Sequence, residues 1–163
     1  MSNSIKPIDE GLKAAKSVGI MHRSQHWDET QKAHLKKYPT CAVCNATTSL
    51  QVHHIFPFEF CIQLGRADLE LDERNLITLC QNEDGKHSNN HHLLIGHLDD
   101  FKSFNIDVRK DASVFFNGMT DEEIKISSVW KQKHNNRPMH LINMTIDERK
   151  QLRVLMDTKM PLK

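Results

Sequence analysis

The sequence has no apolar run longer than a few residues, and this excludes a helix that spans a membrane. Its opening segment, MSNSIKPIDEG, contains no apolar stretch of the kind found in secretory signals, so we expect the protein to stay in the cytoplasm. Internal repeats and low-complexity tracts are absent as well. Apolar residues make up only 38% of the 163 positions, which predicts one domain with a modest core and much polar surface.

Cysteine is scarce, with four residues in the chain. Without a secretory signal these thiols are expected in a reducing compartment, where metal binding is more common than disulfide formation. Cys61 lies in the apolar segment FEFCIQL and is predicted to be a core residue rather than a ligand. The candidates for a metal site are the other three, Cys41, Cys44 and Cys80.

Net charge is also small, at +1, but it is unevenly distributed. Residues 1–40 carry +3, residues 41–100 carry −6 and residues 101–163 carry +4. The acidic centre also contains all four cysteines and six of the eleven histidines. Basic flanks around such a centre indicate a cation site whose surroundings bind a polyanion. The alternative is that the flanking charges are solvated helix faces.

The pattern of the central segment predicts an α+β fold in which a small zinc-stapled core carries flanking helices. SLQVHHI and NLITLC are short and rich in β-formers, and both are strand candidates. The segment FPFEFCIQLGRADLELDER between them is too long for a hairpin turn, so an ordered excursion is expected. HHLLIGHLDDFKSF then resumes a helical apolar spacing.

Two helices are predicted before the first strand. PIDEGLKAAKSVG is typical of a short helix that ends near Gly19, because glycine favours helix ends. HWDETQKAHLKKYP predicts a second helix, with Asp28 as its N-cap and Pro39 just past its end.

Two further helices are predicted in the C-terminal part of the chain. TDEE at 120–123 and TIDE at 145–148 both match the capping box, with Thr120 and Thr145 as caps. The second helix is expected to run to about Met156, and HNNRP between the two is expected to be a loop.

The spacing Cys41-x-x-Cys44 is typical of the first half of a structural zinc site, because two intervening residues let both thiolates reach one tetrahedral ion. A third cysteine, Cys80, ends the second strand candidate. Three cysteines and one histidine would complete a closed Zn²⁺ site, and ordinary buried thiols are the alternative. The histidines that follow the third cysteine are His87, His91 and His92.

Taken together, these segments resemble the HNH endonuclease family, whose ββα-metal motif joins two strands and a helix around one divalent cation. The matching stretches, in chain order, are CAVC, LQVHHIFP, NLITLC and the HH that opens the helix. The upstream RSQHWDETQKAHLKKYPTCAVCN is similar to the basic, Trp-containing lead-in of phage-type members. Gly96-His97 is similar to the GH of small phage and intron-encoded members. The resemblance covers roughly residues 23 to 105.

The resemblance implies that His54 is the general base, since a neutral imidazole can take a proton from water near pH 7. It implies that Asn75, the central asparagine, holds the His54 tautomer directly or through the backbone. His53 and His92 would bind the catalytic cation, Mg²⁺ or another divalent ion, which stabilises the leaving oxygen. Because strand neighbours point to opposite faces, His53 and His54 share a site only if the strand ends or bends near Pro57.

Alternatives stay open at two positions. His97 would be a further ligand of the catalytic cation or a phosphate contact, but helical neighbours are three or four residues apart and His97 follows His92 by five. Many relatives have a cysteine where this chain has His91, so the resemblance favours His91 over His87 as the fourth zinc ligand. The expected structural zinc site then consists of Cys41, Cys44, Cys80 and His91.

We therefore expect a metal-dependent HNH endonuclease that nicks or cuts double-stranded DNA, such as a homing endonuclease, in a bacterium or a phage-infected cell. The alternatives are a non-catalytic zinc-stapled DNA-binding module and a structure-specific or RNA-directed nuclease. The chain divides into a basic helical extension (1–40), the nuclease core with its zinc site (41–105) and an accessory, mainly helical region (106–163). The last region is expected to grip DNA, and the alternative is a stabilising lid packed over the core.

Overall fold

The computed structural model describes residues 22–82 and 89–163. Within these ranges the chain combines helices with one small antiparallel sheet, in agreement with the predicted α+β class. No helix in the described ranges has both the length and the apolarity needed to cross a membrane. The helices and strands are α1 (Trp27–Lys37), β1 (Leu50–His54), α2 (Phe58–Gln63), β2 (Leu76–Cys80), α3 (Val108–Lys110), α4 (Asp121–Ile126), α5 (Ser128–Asn135) and α6 (Ile146–Lys159). Short 3₁₀ turns span Ala67–Glu70, Glu73–Asn75 and Leu141–Asn143, and π-helical turns span His92–Gly96 and Asp111–Phe115.

Strands β1 and β2 pair antiparallel, with Leu50 opposite Cys80 and His54 opposite Leu76. All five residues of β2 are buried, and so are the last three of β1. A strand buried along its whole length needs apolar side chains on both faces, which explains why LITLC is almost continuously apolar.

The connection between the two strands is ordered, as its length predicts. It contains α2 and two 3₁₀ turns. Arg66 is fully buried there, and its guanidinium donates hydrogen bonds to the carboxylates of Asp68 and Asp157 and to the Met160 carbonyl. Because a buried guanidinium must have its donors paired, these bonds fasten the connection to the C-terminal end of α6.

Residues 106–163 pack into the same core as the sheet. The Trp130 Nε1 donates to the Leu94 carbonyl at 2.9 Å, and the Arg153 guanidinium donates to the Leu64 carbonyl at 2.8 Å. Met156 is fully buried in the cluster that also contains Ile77 and Leu79 of β2. This packing is what a stabilising lid requires, and a DNA grip by the same region stays a prediction.

The starts of α4 and α6 agree with the sequence signals. Thr120 and Thr145 each close a complete capping box, with their hydroxyls accepting from Glu123 and Glu148. Helix α6 continues past the predicted end to Lys159. The HNNRP segment is a loop only in its second part, because α5 extends to Asn135.

The start of α1 differs from the prediction. The helix begins at Trp27, so Asp28 lies in its first turn rather than at the N-cap, and the His26 side chain at the N-cap makes no capping hydrogen bond. An acidic residue in the first turn still interacts favourably with the helix dipole. The helix predicted to end near Gly19 lies outside the described residues.

Candidate metal centres

Two groups of side chains could each hold a metal ion, and within each group the ligand atoms lie within 4.8 Å of one another. We call them the cysteine cluster and the histidine cluster. Both groups coincide with sets predicted from the sequence, whereas His87 lies outside the described residues. The cysteine cluster consists of Cys41, Cys44, Cys80 and His91, and the histidine cluster consists of His53, His92 and His97.

The cysteine cluster has the dimensions of a tetrahedral zinc site. Zinc–sulfur bonds of 2.3 Å and zinc–nitrogen bonds near 2.05 Å give tetrahedral edges of about 3.8 Å between sulfurs and about 3.6 Å between sulfur and nitrogen. The Cys44 and Cys80 sulfurs are 3.9 Å apart. The His91 Nδ1 lies 3.6 Å from the Cys41 sulfur and 3.3 Å from the Cys80 sulfur. The four residues could therefore hold a metal such as zinc.

The turn that carries the first two cysteines is fastened to the sheet. The Asn45 amide donates to the Cys41 carbonyl at 2.9 Å, and Asn45 takes the left-handed conformation, with φ of 59°. Asparagine adopts this conformation more readily than most residues, which suits a tight turn. The Ala42 amide donates to the Thr78 carbonyl at 3.0 Å and so holds the turn beside β2, which ends at Cys80.

The thiols of the cysteine cluster influence one another strongly. A hydrogen bond from Cys80 lowers the pKa of Cys41, and the same bond, with burial, raises the pKa of Cys80. Burial also raises the pKa of Cys44. One thiolate therefore suppresses ionisation of its neighbours, and a cation is what allows all three to ionise together.

The histidine cluster is assembled from one strand and one helical turn. His53 is the fourth residue of β1, and His92 and His97 lie at the beginning and just after the end of the His92–Gly96 turn. The ring of His53 is 5.1 Å from that of His92 and 4.7 Å from that of His97, centroid to centroid. The Nε2 atoms of His92 and His97 are 3.3 Å apart, which is the edge expected for two imidazoles on one tetrahedral ion, about 3.3 Å.

The π-helical conformation explains why His97 joins the cluster. A π-helix is hydrogen-bonded from residue i to residue i+5 and has more residues per turn than an α-helix, so residues five apart lie near one face. The spacing of His92 and His97, which is wrong for an α-helix, is therefore right for this turn. The turn is shorter than the predicted helix because Leu98 and Asp99 take left-handed φ angles of 51° and 66° and end it.

Contacts outside the histidine cluster orient two of its rings. The His92 Nδ1 hydrogen-bonds to the Gln81 side-chain oxygen, and the His97 Nδ1 donates to the Ser103 carbonyl at 2.8 Å. Both bonds place the proton on Nδ1, so each Nε2 presents a lone pair. The Nε2 of His53 is buried with no hydrogen-bond partner among the described residues. Such an unpaired atom in a polar cluster is the expected state of a metal ligand.

Burial keeps the cluster uncharged. It lowers the pKa of His53 well below its usual value, lowers that of His92 to about 3, and lowers that of His97. At neutral pH all three imidazoles are therefore neutral, which is the form that binds cations. The half-buried His92 marks the open side, where the exposed ring of Phe101 lies 5.7 Å from it.

His54, the predicted general base, lies outside the histidine cluster. It is not among the three converging imidazoles, and its ring stacks on Trp27 with centroids 4.6 Å apart. Its Nε2 donates to the Glu70 carbonyl at 2.8 Å. Burial lowers the pKa of His54 to about 4, so the ring is neutral at pH 7. Its Nδ1 has no hydrogen-bond partner within the described part of the chain and is the free acceptor.

Asn75 contacts backbone rather than the His54 ring. Its side chain accepts from the Phe56 amide at 2.7 Å and donates to the carbonyls of Phe56 and Leu69, at 3.0 and 3.1 Å. Asn75 is predicted to hold the His54 tautomer either directly or through the backbone, and these contacts are of the backbone kind. By holding the Leu69 carbonyl, Asn75 fixes the neighbouring Glu70 carbonyl, which accepts the hydrogen bond from His54 Nε2.

Several residues around the two clusters carry no sequence signal for the contacts they make. Trp27 lies in the lead-in segment without a predicted role, and Asp121 has a sequence signal only as part of a capping box. Gln81 and Ser103 carry no local signal, because each acts through a contact that depends on the tertiary fold.

Comparison with known proteins adds no relative: no protein-family model, no curated protein and no solved structure matches the chain.

Proposed function

We propose that the chain is a metal-dependent endonuclease of the HNH type that hydrolyses phosphodiester bonds in double-stranded DNA. The observation that carries the proposal is the arrangement at the end of β1. His53 contributes to a group of three convergent imidazoles, and the next residue, His54, is a neutral histidine with one ring nitrogen fixed and the other free. Hydrolysis of a phosphodiester requires a bound cation and an oriented base, and two consecutive residues of β1 contribute one to each.

The donor set of the histidine cluster fits a divalent cation. A cation bound there would bind the scissile phosphate and stabilise the leaving oxygen. Neutral imidazoles favour ions such as Zn²⁺, Ni²⁺ or Co²⁺, whereas Mg²⁺ prefers oxygen ligands. We therefore propose a transition-metal ion rather than Mg²⁺ at this site, and zinc at the cysteine cluster.

In this proposal His54 is the catalytic base. The Glu70 carbonyl accepts the Nε2 proton, so the lone pair is on Nδ1 and is available for a proton of the attacking water. Trp27 covers one face of the ring by stacking, and Asn75 acts as a positioning residue through the loop that carries Glu70. A base fixed in this way loses no rotational freedom when the substrate binds.

Positive charge near the base would bind the phosphates of the DNA backbone. The guanidinium of Arg23 lies 4.8 Å from the centre of the Trp27 ring and 4.2 Å from that of Phe58, and its side chain remains 45% exposed. An exposed guanidinium on the same aromatic stack as His54 is suited to a phosphate next to the scissile one.

The experiment that tests the function measures cleavage of supercoiled plasmid by the protein. Loosely bound ions are first removed by brief dialysis against EDTA. Zinc content is checked afterwards, and Mg²⁺, Mn²⁺, Co²⁺, Ni²⁺ or Zn²⁺ is added separately. We expect nicked or linear products with at least one transition-metal ion. His54→Ala should slow single-turnover cleavage by about 10²–10⁴-fold while DNA binding is kept. His134→Ala, a histidine far from both clusters in the sequence, is the control.

Three results would each count against the proposal. Cleavage by His54→Ala at the wild-type rate would remove the proposed base. Retardation of DNA in a gel without cleavage under any ion would indicate a zinc-stapled binding module instead. Cleavage confined to RNA or to branched DNA would assign the chemistry to a different substrate.

A further inference from the structure

The imidazole of His91 has a different partner on each of its nitrogens. Its Nδ1 faces the sulfurs of Cys41 and Cys80, at 3.6 and 3.3 Å. Its Nε2 lies on the other side of the ring, 3.3 Å from the Oδ1 of Asp121. His91 is fully buried, and neither this Nε2 nor this Oδ1 has a hydrogen-bond partner among the residues that the structure describes.

These two unpaired atoms become complementary once Nδ1 binds a metal. A metal ion takes the lone pair of Nδ1, so the ring proton must be on Nε2, and a carboxylate oxygen is its best acceptor. The present separation of 3.3 Å is within hydrogen-bond reach, although the pair does not yet have full hydrogen-bond geometry.

Asp121 is itself held in place by other contacts. Its Oδ2 accepts from the Asn90 amide at 2.7 Å, and its own amide donates to the Asn89 side chain at 3.1 Å. It is the first residue of α4, directly after the cap Thr120. The carboxylate is therefore fixed against the residue that precedes His91, with its second oxygen left for the ring.

We propose that Asp121 is the outer partner of the zinc-bound His91 and that it sets how tightly the cysteine cluster retains zinc. The inference rests on the proposed zinc site and is independent of nuclease activity. It also joins the two halves of the chain, because the four ligands precede residue 92 and the carboxylate comes from the C-terminal region. Loss of such a partner typically weakens metal affinity by about 10–100-fold.

The competing explanation is that Asp121 matters only as an acidic residue in the first turn of α4. Glu122 is the matched control, since it occupies the same turn and carries the same charge but has no bond to the cluster within the part of the chain that the structure describes. Asp121→Asn is the informative variant, because an amide oxygen can still accept from the Asn90 amide while the charge facing His91 is removed.

The experiment measures zinc release from the full-length chain. Natively purified wild type, Asp121→Asn and Glu122→Gln are mixed with an excess of the chromogenic chelator 4-(2-pyridylazo)resorcinol, and release is followed by absorbance. Competition with a chelator of known affinity then gives the zinc dissociation constant. We expect zinc affinity to fall by about 10–100-fold in Asp121→Asn and to stay within about twofold of wild type in Glu122→Gln, as for a surface change.

Equal zinc affinity in Asp121→Asn and wild type overturns the proposal, and so does an equal loss in both variants. Absence of zinc from the wild type is a different result, because it removes the zinc site itself. If Asp121→Asn has less helix than wild type by circular dichroism in zinc-saturated buffer, Asp121→Glu decides. Its carboxylate can still reach His91, so recovered zinc retention supports the proposal and release as fast as in Asp121→Asn overturns it.

Discussion

The cysteine cluster and the histidine cluster differ most in charge. Three thiolates and a neutral imidazole around Zn²⁺ leave a net charge of −1, whereas three neutral imidazoles around a divalent ion leave +2. The first arrangement has four ligands and no open position, and the second has three. A closed anionic centre repels phosphate and holds its ion, while an open cationic centre attracts phosphate. On this comparison we propose a folding role for the first cluster and a catalytic role for the second.

The largest effect is expected from removing a ligand of the cysteine cluster. Cys44→Ser should abolish zinc retention and unfold the domain, because structural zinc binding supplies free energy of folding. Elemental analysis and circular dichroism measure the two losses. Cys61→Ser is the matched control, since that buried thiol donates to the Phe56 carbonyl at 3.3 Å and a hydroxyl can do the same. A Cys44→Ser protein that is folded and contains zinc would contradict the assignment.

Removing a ligand of the histidine cluster should leave the fold intact. His97→Ala is expected to abolish tight binding of the second cation and to slow cleavage by at least about 10²-fold, while one zinc per chain remains. Isothermal titration with Ni²⁺ or Co²⁺, elemental analysis and the plasmid assay give the three readouts. His134→Ala again serves as control. Loss of zinc together with the second cation would show that the two clusters are not separable.

A smaller effect is expected from crowding the same site. A Cβ on Gly96 would lie 3.0–3.2 Å from three atoms of the His53 ring, so Gly96→Ala should displace that imidazole. We expect the second cation to bind about tenfold more weakly, with zinc unchanged. Gly118→Ala is the contrast, because its φ of 73° strains any side chain although nothing lies within 4 Å. It should lower stability and leave the affinity for the cation unaltered.

The smallest effect is expected far from both clusters. Thr145→Ala removes the hydroxyl that accepts from the Glu148 amide at 3.2 Å and so opens the capping box of α6. The free energy of unfolding should fall by about 1 kcal/mol, with both metals retained. Thr158→Ala on the same helix should change it by less than about 0.5 kcal/mol. Urea denaturation checks both values. A loss of zinc in Thr145→Ala would contradict the expectation that the cap of α6 affects stability without affecting metal binding.

Local signals predicted the parts of the fold that depend on short-range chemistry. The capping boxes at Thr120 and Thr145 and the two strands are examples, because each depends on residues a few positions apart. The cysteine cluster could also be predicted, since ligand type and the spacing Cys41-x-x-Cys44 carry most of its geometry. The roles of these residues stay predictions until metal content is measured.

Contacts between distant segments could not be predicted. Arg66 is buried against Asp157 of α6, and nothing near either residue in the sequence indicates the other. Asp121 faces His91 for the same reason. Helical spacing also argued against His97, because an α-helix turns 3.6 residues at a time and the π-helical turn was not foreseeable.

The π-helical turn has a consequence for how such a site can arise. A π-turn corresponds to an α-helix with one residue inserted, so His92-x₄-His97 and an ordinary His-x₃-His pair would present their imidazoles similarly. Insertion or deletion of a single codon within this turn therefore interconverts the two spacings with little change in the position of the ligands. A sequence motif that requires the His-x₃-His spacing would not match this chain, although the ring nitrogens of His53, His92 and His97 converge in the same way.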